Sequence, residues 1–413
     1  MRRCYREQKF CRLCTSTDLT TVMDMGEQAV IDFPWGWQDA GVVLAPLRIA
    51  VCEACGLAQL RETVRRDIMY RQYWYRSGTS DTMVRALESV VQAARGSVPL
   101  TADDVVMDIG ANDGTLLSYY PRDVVRVAVE PSQMAVSIEM ADYRVFDYFS
   151  LEALKGKVRD TVEIQGVKIV TSIAMFYDVD RPLDFMADVA EILHPKGVWI
   201  NQMNYLPTVM DNNAFDFISH EHLTYWTLRT LSWGLKKVGL EVFHMDTLPL
   251  NGGTARFYIQ HKGVRAVSSK VGEYAKESRG YDKPTVWKDF AERVEKNGVR
   301  LRGTIRDIVA SGKKVYVYGA STRGSTILHH YGLDSTVLPY AADKDKAKWG
   351  RYMVGTGGIK IISEEEARAS LPDFFLVLPY SYIEEFKRRE TEFLGRGGQF
   401  IVPLPEVHFV GRK

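Results

Sequence analysis

"VVMDIGANDGTLL", residues 105–117, is the stretch on which the fold turns. An apolar run closes on Asp108, a turn carries Gly110 and Gly114 in a G-x-x-x-G spacing, and apolar residues resume behind it. A buried strand that breaks at a glycine turn and re-enters a helix predicts the first unit of a doubly wound parallel α/β sheet, whose carboxyl edge binds nucleotide-like ligands. Asn112 and Asp113 stand where a pyrophosphate needs bare backbone N–H groups, so the turn departs from the dinucleotide fingerprint G-x-G-x-x-G. The following apolar run, "VVRVAVE", ends on Glu130, placed to accept both hydroxyls of a ribose. Acids around such a crevice suit a cation without phosphates, and S-adenosylmethionine is one.

Outward from this stretch, β and α patterns alternate. "YRVFDYF", "VKIVTSIAMFY" and "GVWINQMN" read as the third to fifth strands, and "TLLSYY" as a helix start. Upstream, the apolar spacing from about Thr82 predicts a helix behind an aromatic, hydroxyl-rich loop, "YWYRSGTS". A second strand, turn and helix begin at "KKVYVYGASTRGSTILHHYG", with "VLPYAADKD" and "DFFLVLPY" as further strands, after a charged connector of helical period. These patterns divide the chain into a zinc-binding region (1–68), a first Rossmann-like core (69–265), and the helical connector with a C-terminal Rossmann-like domain (266–413).

The zinc assignment comes from the cysteines. All five lie in the first 55 residues, and Cys11, Cys14, Cys52 and Cys55 form two C-x-x-C pairs. Two facing knuckles of this kind close a tetrahedral four-thiolate site with no open position, so a zinc ion there holds structure together and does no chemistry. A redox dithiol is the alternative and needs only one pair.

With 53 basic against 52 acidic residues, the chain has no field to hold nucleic acid or anionic lipid. No apolar run is long enough to span a membrane and the first residues lack the apolar core of a signal peptide, which predicts a cytoplasmic protein. No heptad or long apolar stripe stands out, and a monomer or weak homo-oligomer is expected.

"CRLC", "CEACGLAQ", "VVMDIGANDGTLL", "VEPS", "ISHEHLTYW", "NGGTARFY" and "YGASTRGST" follow one another as in the sugar C-methyltransferases, which add a methyl to C3 of nucleotide-linked deoxy-4-keto sugars. The chain resembles that family from Cys11 to about Pro405. The resemblance implies three domains, a nucleotide-sugar between the catalytic core and the C-terminal domain, and attack of a sugar carbanion on the sulfonium methyl.

Removing a proton beside a ketone needs a base, commonly histidine. His222 matches the family's histidine in its Y-H-E-H segment, and Glu221 the neighbouring carboxylate; His220 reads equally as a core histidine. H-E-H is not the H-E-x-x-H of a zinc helix. Tyr75 and Ser77 resemble the family's loop over the cofactor; the resemblance also implies that Asp147 and Tyr148 border the adenine and that Arg256 stands where the family holds an anion, while Arg323 stands where the family more often has lysine. The chain departs from the family at Ser219 (tyrosine there), Tyr177 (histidine there) and Asn251 (histidine there), all on the substrate side. Tyr177 could then polarise a carbonyl. The departures keep open an oxygen or nitrogen acceptor, or a non-catalytic module. Asp343, after the second glycine turn, keeps open a nicotinamide oxidoreductase.

Overall fold

The computed structural model describes residues 4–30, 33–36, 42–69, 76–155, 158, 166–250 and 252–411. At its centre a seven-stranded sheet runs in the order Leu240–Leu248, Thr254–His261, Leu193–Asn204, Val167–Ile173, Val105–Ile109, Val125–Val129, Tyr143–Val145. The last five of these are parallel, while Thr254–His261 is antiparallel to both its neighbours. Val105–Ile109 is buried at every position, as a parallel strand covered on both faces must be. The helix expected behind the glycine turn is one short 3-10 turn, Leu117–Tyr119. Pro121 stands behind it; a proline disfavours helical backbone in the residue before it and so stops the winding.

The N-terminal region folds as an antiparallel sheet of Leu19–Ala29, Leu44–Cys52 and Ala58–Leu60. Its fourth strand is Thr224–Tyr225, supplied by the central region and paired with Ala58–Gln59. C-terminally, the helices Ser269–Glu277 and Pro284–Ala310 lead to a six-stranded sheet ordered Lys360–Ser363, Tyr340–Asp343, Val315–Tyr318, Phe374–Val377, Gln399–Val402, His408–Val410, with only the last strand antiparallel. The long helix buries Trp287, Phe290, Val294, Gly298, Leu301 and Ile305, a spacing of three and four residues that makes one buried stripe. The fold is therefore α/β in its central and C-terminal regions with an antiparallel β-sheet at the N-terminus, and one continuous core joins the three regions, from Cys11 and Leu57 through Met186 and Trp226 to Trp287 and Leu404. Among the described residues no helix is long and apolar enough to cross a membrane.

Candidate active site

The carboxyl edge of the central sheet opens into a cavity of about 570 Å³, whose far wall comes from the C-terminal region. Gly110 shapes the sheet side: its φ is +75°, and a Cβ there would stand 2.9 Å from Met175 Cγ. Asn112 N donates to Glu130 Oε2 at 2.9 Å and Ser132 N to Glu130 Oε1 at 2.8 Å. Two backbone donors thus fix Glu130 at the wall and leave each oxygen a second lone pair for a ligand hydroxyl. Asp108 lies buried beside it, held by the Thr171 hydroxyl at 2.6 Å. Burial pushes the Asp108 carboxyl up to about 7 against the pull of that hydrogen bond, and the charge of Glu130 adds to the rise. Ser77 meets the turn through its N–H, which donates to Asn112 Oδ1 at 3.0 Å, and Tyr148 lines the cavity under the Arg66 guanidinium, 4.4 Å from the ring centroid. Asp113 and Gly114 shape the turn but do not line the cavity: Asp113 accepts from Gly78 N at 2.8 Å and from the Thr115 hydroxyl at 2.6 Å. Asp147 is exposed and accepts from Tyr148 N at 2.8 Å.

The acceptor side is built from the segment 215–226 and the 3-10 turn Phe176–Asp178. His222 N donates to Ser219 O at 3.1 Å, closing a turn that sets Ser219, Glu221 and His222 on the cavity. The His222 ring stacks on Phe217 with centroids 4.1 Å apart and meets Tyr177 edge-on at 4.5 Å. Its Nδ1 is hydrogen-bonded to the Phe217 carbonyl. A carbonyl only accepts, so Nδ1 carries the proton and Nε2 keeps its lone pair. Burial lowers the imidazole to about 3, with the Phe217 carbonyl opposing and Arg323 adding to the fall, so the ring is neutral at neutral pH. Burial also lifts Glu221 to about 7. Beside it Asp178, not singled out in the sequence, is raised well above the carboxylate range by burial and then by the Glu221 charge. Its Oδ1 is buried with no hydrogen-bond partner among the described residues. The signal for Asp178 was present in "AMFYDVD", where an acid stands directly behind two aromatics and an apolar strand.

Across the cavity stand Ser321, Thr322 and Arg323, at the start of the helix Thr322–His330, together with Tyr380 and Tyr382. Arg323 Nη2 lies 2.7 Å from Asp216 Oδ2, and the Tyr380 hydroxyl donates to Asp216 Oδ1 at 3.0 Å. The sequence reading missed Asp216, although an acid inside "FDF" carries the same signal as Asp178.

Arg256 is buried on its strand, with Nε on Gln202 Oε1 at 2.8 Å and Nη2 on the Ser89 hydroxyl at 2.8 Å. It does not line the cavity, so its expected anion-holding role gives way to a structural one: a strand residue facing the helix Asp81–Ser97 spends its fork on that helix. Tyr75 and Asn251 lie outside the described residues. His220 Nε2 sits between the carbonyls of Ala45 and Pro46 at 3.1 and 3.3 Å, as a core histidine does. At the second glycine turn, Asp343 already receives Ala320 N at 2.9 Å, Asp345 N at 2.8 Å and the Lys348 ammonium at 3.4 Å. The turn itself packs closely on Pro379, which a Cβ on Gly319 would approach to 2.4 Å, so glycine is required there.

The four knuckle sulfurs lie within 4.8 Å of one another, with Cys11–Cys55 at 3.6 Å and Cys14–Cys52 at 3.5 Å. Four thiolates about 2.3 Å from a tetrahedral zinc stand about 3.8 Å apart, so the set fits that ion.

The family model described as C-methyltransferase C-terminal domain matches residues 249–405, a zinc binding domain matches 11–70, and a methyltransferase domain matches 82–245. C-methyltransferase NovU of Streptomyces niveus is 28% identical over 98% of this chain and 97% of its own. Among solved structures, the cyclopropane synthase MmaA2 of Mycobacterium tuberculosis is 17% identical, over 46% of this chain and 90% of its own, with a TM-score of 0.33. The mitomycin 7-O-methyltransferase MmcR is 12% identical, over 44% and 54%, with the same TM-score of 0.33. Three family domains in order, a full-length carbon-methylating relative, an acid-lined cavity at the glycine turn and a four-thiolate knuckle pair lead to one assignment: the chain is an S-adenosylmethionine-dependent C-methyltransferase with a zinc-binding N-terminal domain.

Proposed function

We propose that the enzyme methylates a carbon beside the ketone of a nucleotide-activated deoxy-keto sugar, with His222 as the base. The observation that carries this reading is the fixed tautomer of His222: Nδ1–H is committed to the Phe217 carbonyl, and Nε2 is the bare nitrogen of a ring lining the cavity that Glu130 also lines. Bound at the glycine turn, S-adenosylmethionine supplies an electrophilic methyl. Glu130 and Asn112 hold its ribose side, Tyr148 borders the adenine, and the acids Asp108 and Glu130 favour the sulfonium charge. His222 Nε2 would take the proton from the carbon beside the ketone, and the electron pair left there would form the new carbon–carbon bond to the methyl as the methyl–sulfur bond breaks and adenosylhomocysteine leaves. Glu221, Asp178 and Tyr177 face the developing oxyanion, and a carboxyl that keeps its proton can donate to it. Ser321, Thr322 and the helix N-terminus behind them present donors for the nucleotide phosphates, with part of the Arg323 charge spent on Asp216. The sugar class rests on the ordered motifs, and Ser219 and Tyr177 alter the acceptor's surroundings relative to that family.

Incubation with a 4-keto-deoxy sugar nucleotide in deuterated water tests this. Deuterium should enter beside the ketone, and His222→Gln should slow exchange and methyl transfer by about 10²–10⁴-fold. Exchange that persists in His222→Gln removes His222 as the base, and absence of exchange across a panel of such sugars removes the substrate class.

A further inference from the structure

Arg12 stands between Cys11 and Cys14 in the first zinc knuckle and is only 6% exposed. A guanidinium kept from water must find acceptors. Nη1 donates to the Leu60 carbonyl at 2.6 Å, Nη2 to the Thr63 hydroxyl at 2.7 Å, and Nε to Asp180 Oδ1 at 3.3 Å. The Arg12 backbone N–H donates to Gln59 Oε1 at 2.8 Å. Each of these contacts leads toward the acceptor side of the cavity. Gln59 is the ladder partner of Thr224, and Leu60 N donates to the Leu223 carbonyl at 2.9 Å, so the strand that Arg12 grips also holds the two residues following His222. Asp180 follows the turn that carries Tyr177 and Asp178, and lines the cavity with them. The Thr224 hydroxyl donates to the Tyr177 carbonyl at 3.1 Å and ties the two arms together.

We infer that Arg12 is a positioning residue of the active site, through which the zinc knuckle sets His222 against Tyr177. The zinc-binding sheet is then the seat of the catalytic segment, since Thr224–Tyr225 is one of its strands. An ion at the knuckle fixes the backbone on both sides of Arg12. The side chain converts that fixed point into the placement of the two segments that carry His222 and Tyr177. A staple remote from the chemistry would have no need of an arginine aimed at a residue of the cavity wall. The inference rests on the reading of His222 as the reacting base, but its test does not.

The variants are Arg12→Met, Arg12→Lys and Asp180→Asn in the full zinc-loaded chain. The readouts are bound zinc, the global melting midpoint, hydrogen exchange of residues 219–226, and the rate at which diethyl pyrocarbonate acylates His222, located by peptide mass spectrometry. Arg12→Met and Asp180→Asn should raise exchange across 219–226 by about tenfold over the rest of the chain and change His222 acylation severalfold, with zinc retained. Arg12→Lys should recover part of both, because it restores the charge opposite Asp180 but not the fork. Should Arg12→Met fail to fold or to hold zinc, Asp180→Asn, outside the knuckle, carries the test. Exchange and acylation unchanged in Asp180→Asn, or altered only in step with the whole chain, would overturn the proposal. Failure of His222→Gln to reduce methyl transfer bears instead on the base, and leaves these readouts as they stand.

Discussion

At the scale of single residues, the acceptor side sets two buried acids against a neutral imidazole. Glu221 has its carboxyl lifted from 4.5 to about 7 by burial, so the folded protein keeps a proton that the unfolded chain releases. Between about pH 4.5 and 7 the folded state therefore binds more protons at this site than the unfolded one, and stability contributed by Glu221 falls as pH rises through that window. His222 works in the opposite direction: the unfolded chain protonates it near 6.5 and the folded chain only near 3, so its effect on stability rises with pH. The difference between wild type and Glu221→Gln isolates the first term. The variant should gain in melting midpoint relative to wild type as pH goes from 5 to 8, and a constant difference over that range would place the Glu221 titration elsewhere. Asp178 strengthens the effect, since the charge of Glu221 acts on it. His222 and Glu221 were singled out in the sequence by the likeness of their H-E-H segment to that of the sugar C-methyltransferases. The tautomer was not legible, because it is set by a carbonyl five residues earlier that the chain's own turn brings back.

At the scale of elements, the glycine turn does two tasks that only a residue without Cβ performs, holding φ at +75° and letting Met175 close on the cavity floor. Gly110→Ala should destabilise the fold by roughly 1–3 kcal/mol and weaken adenosylhomocysteine binding, as read by melting and calorimetry. A variant that binds as tightly as wild type would show the turn to be adaptable. The turn was readable from "DIGANDG" because glycine spacing is a local property of backbone sterics. The element after it was misjudged as a helix: "TLLSYY" has helical apolar spacing, but Pro121 cuts it to Leu117–Tyr119. Arg256 failed in another way. The strand Thr254–His261 that carries it was not read from the sequence, and its pairing with Leu193–Asn204 points the side chain at Gln202 and Ser89.

At the scale of the molecule, the cavity exists only because the C-terminal region closes over the central sheet, and the pair Arg323–Asp216 with Tyr380 fastens that closure. Asp216 is 1% exposed, so Asp216→Ala takes from a largely buried guanidinium its 2.7 Å ion-pair partner and should cost roughly 3 kcal/mol in denaturant unfolding. Asp216→Asn should cost less, as the amide still accepts one hydrogen bond. Equal losses in the two variants would mean that the charge contributes nothing. By itself the sequence determined what short-range chemistry can specify: the alternation of strands and helices, the glycine turn with Glu130 at the next strand end, and the four cysteines that can only face one another. The tertiary structure alone decided how those parts share surfaces. It put Thr224–Tyr225 into the zinc-binding sheet, turned Arg256 inward, spent Arg323 on Asp216 and placed Asp178 beside Glu221. The physical reason is that ion pairing, desolvation and strand pairing depend on distances between residues far apart in the chain, which spacing along the sequence does not contain.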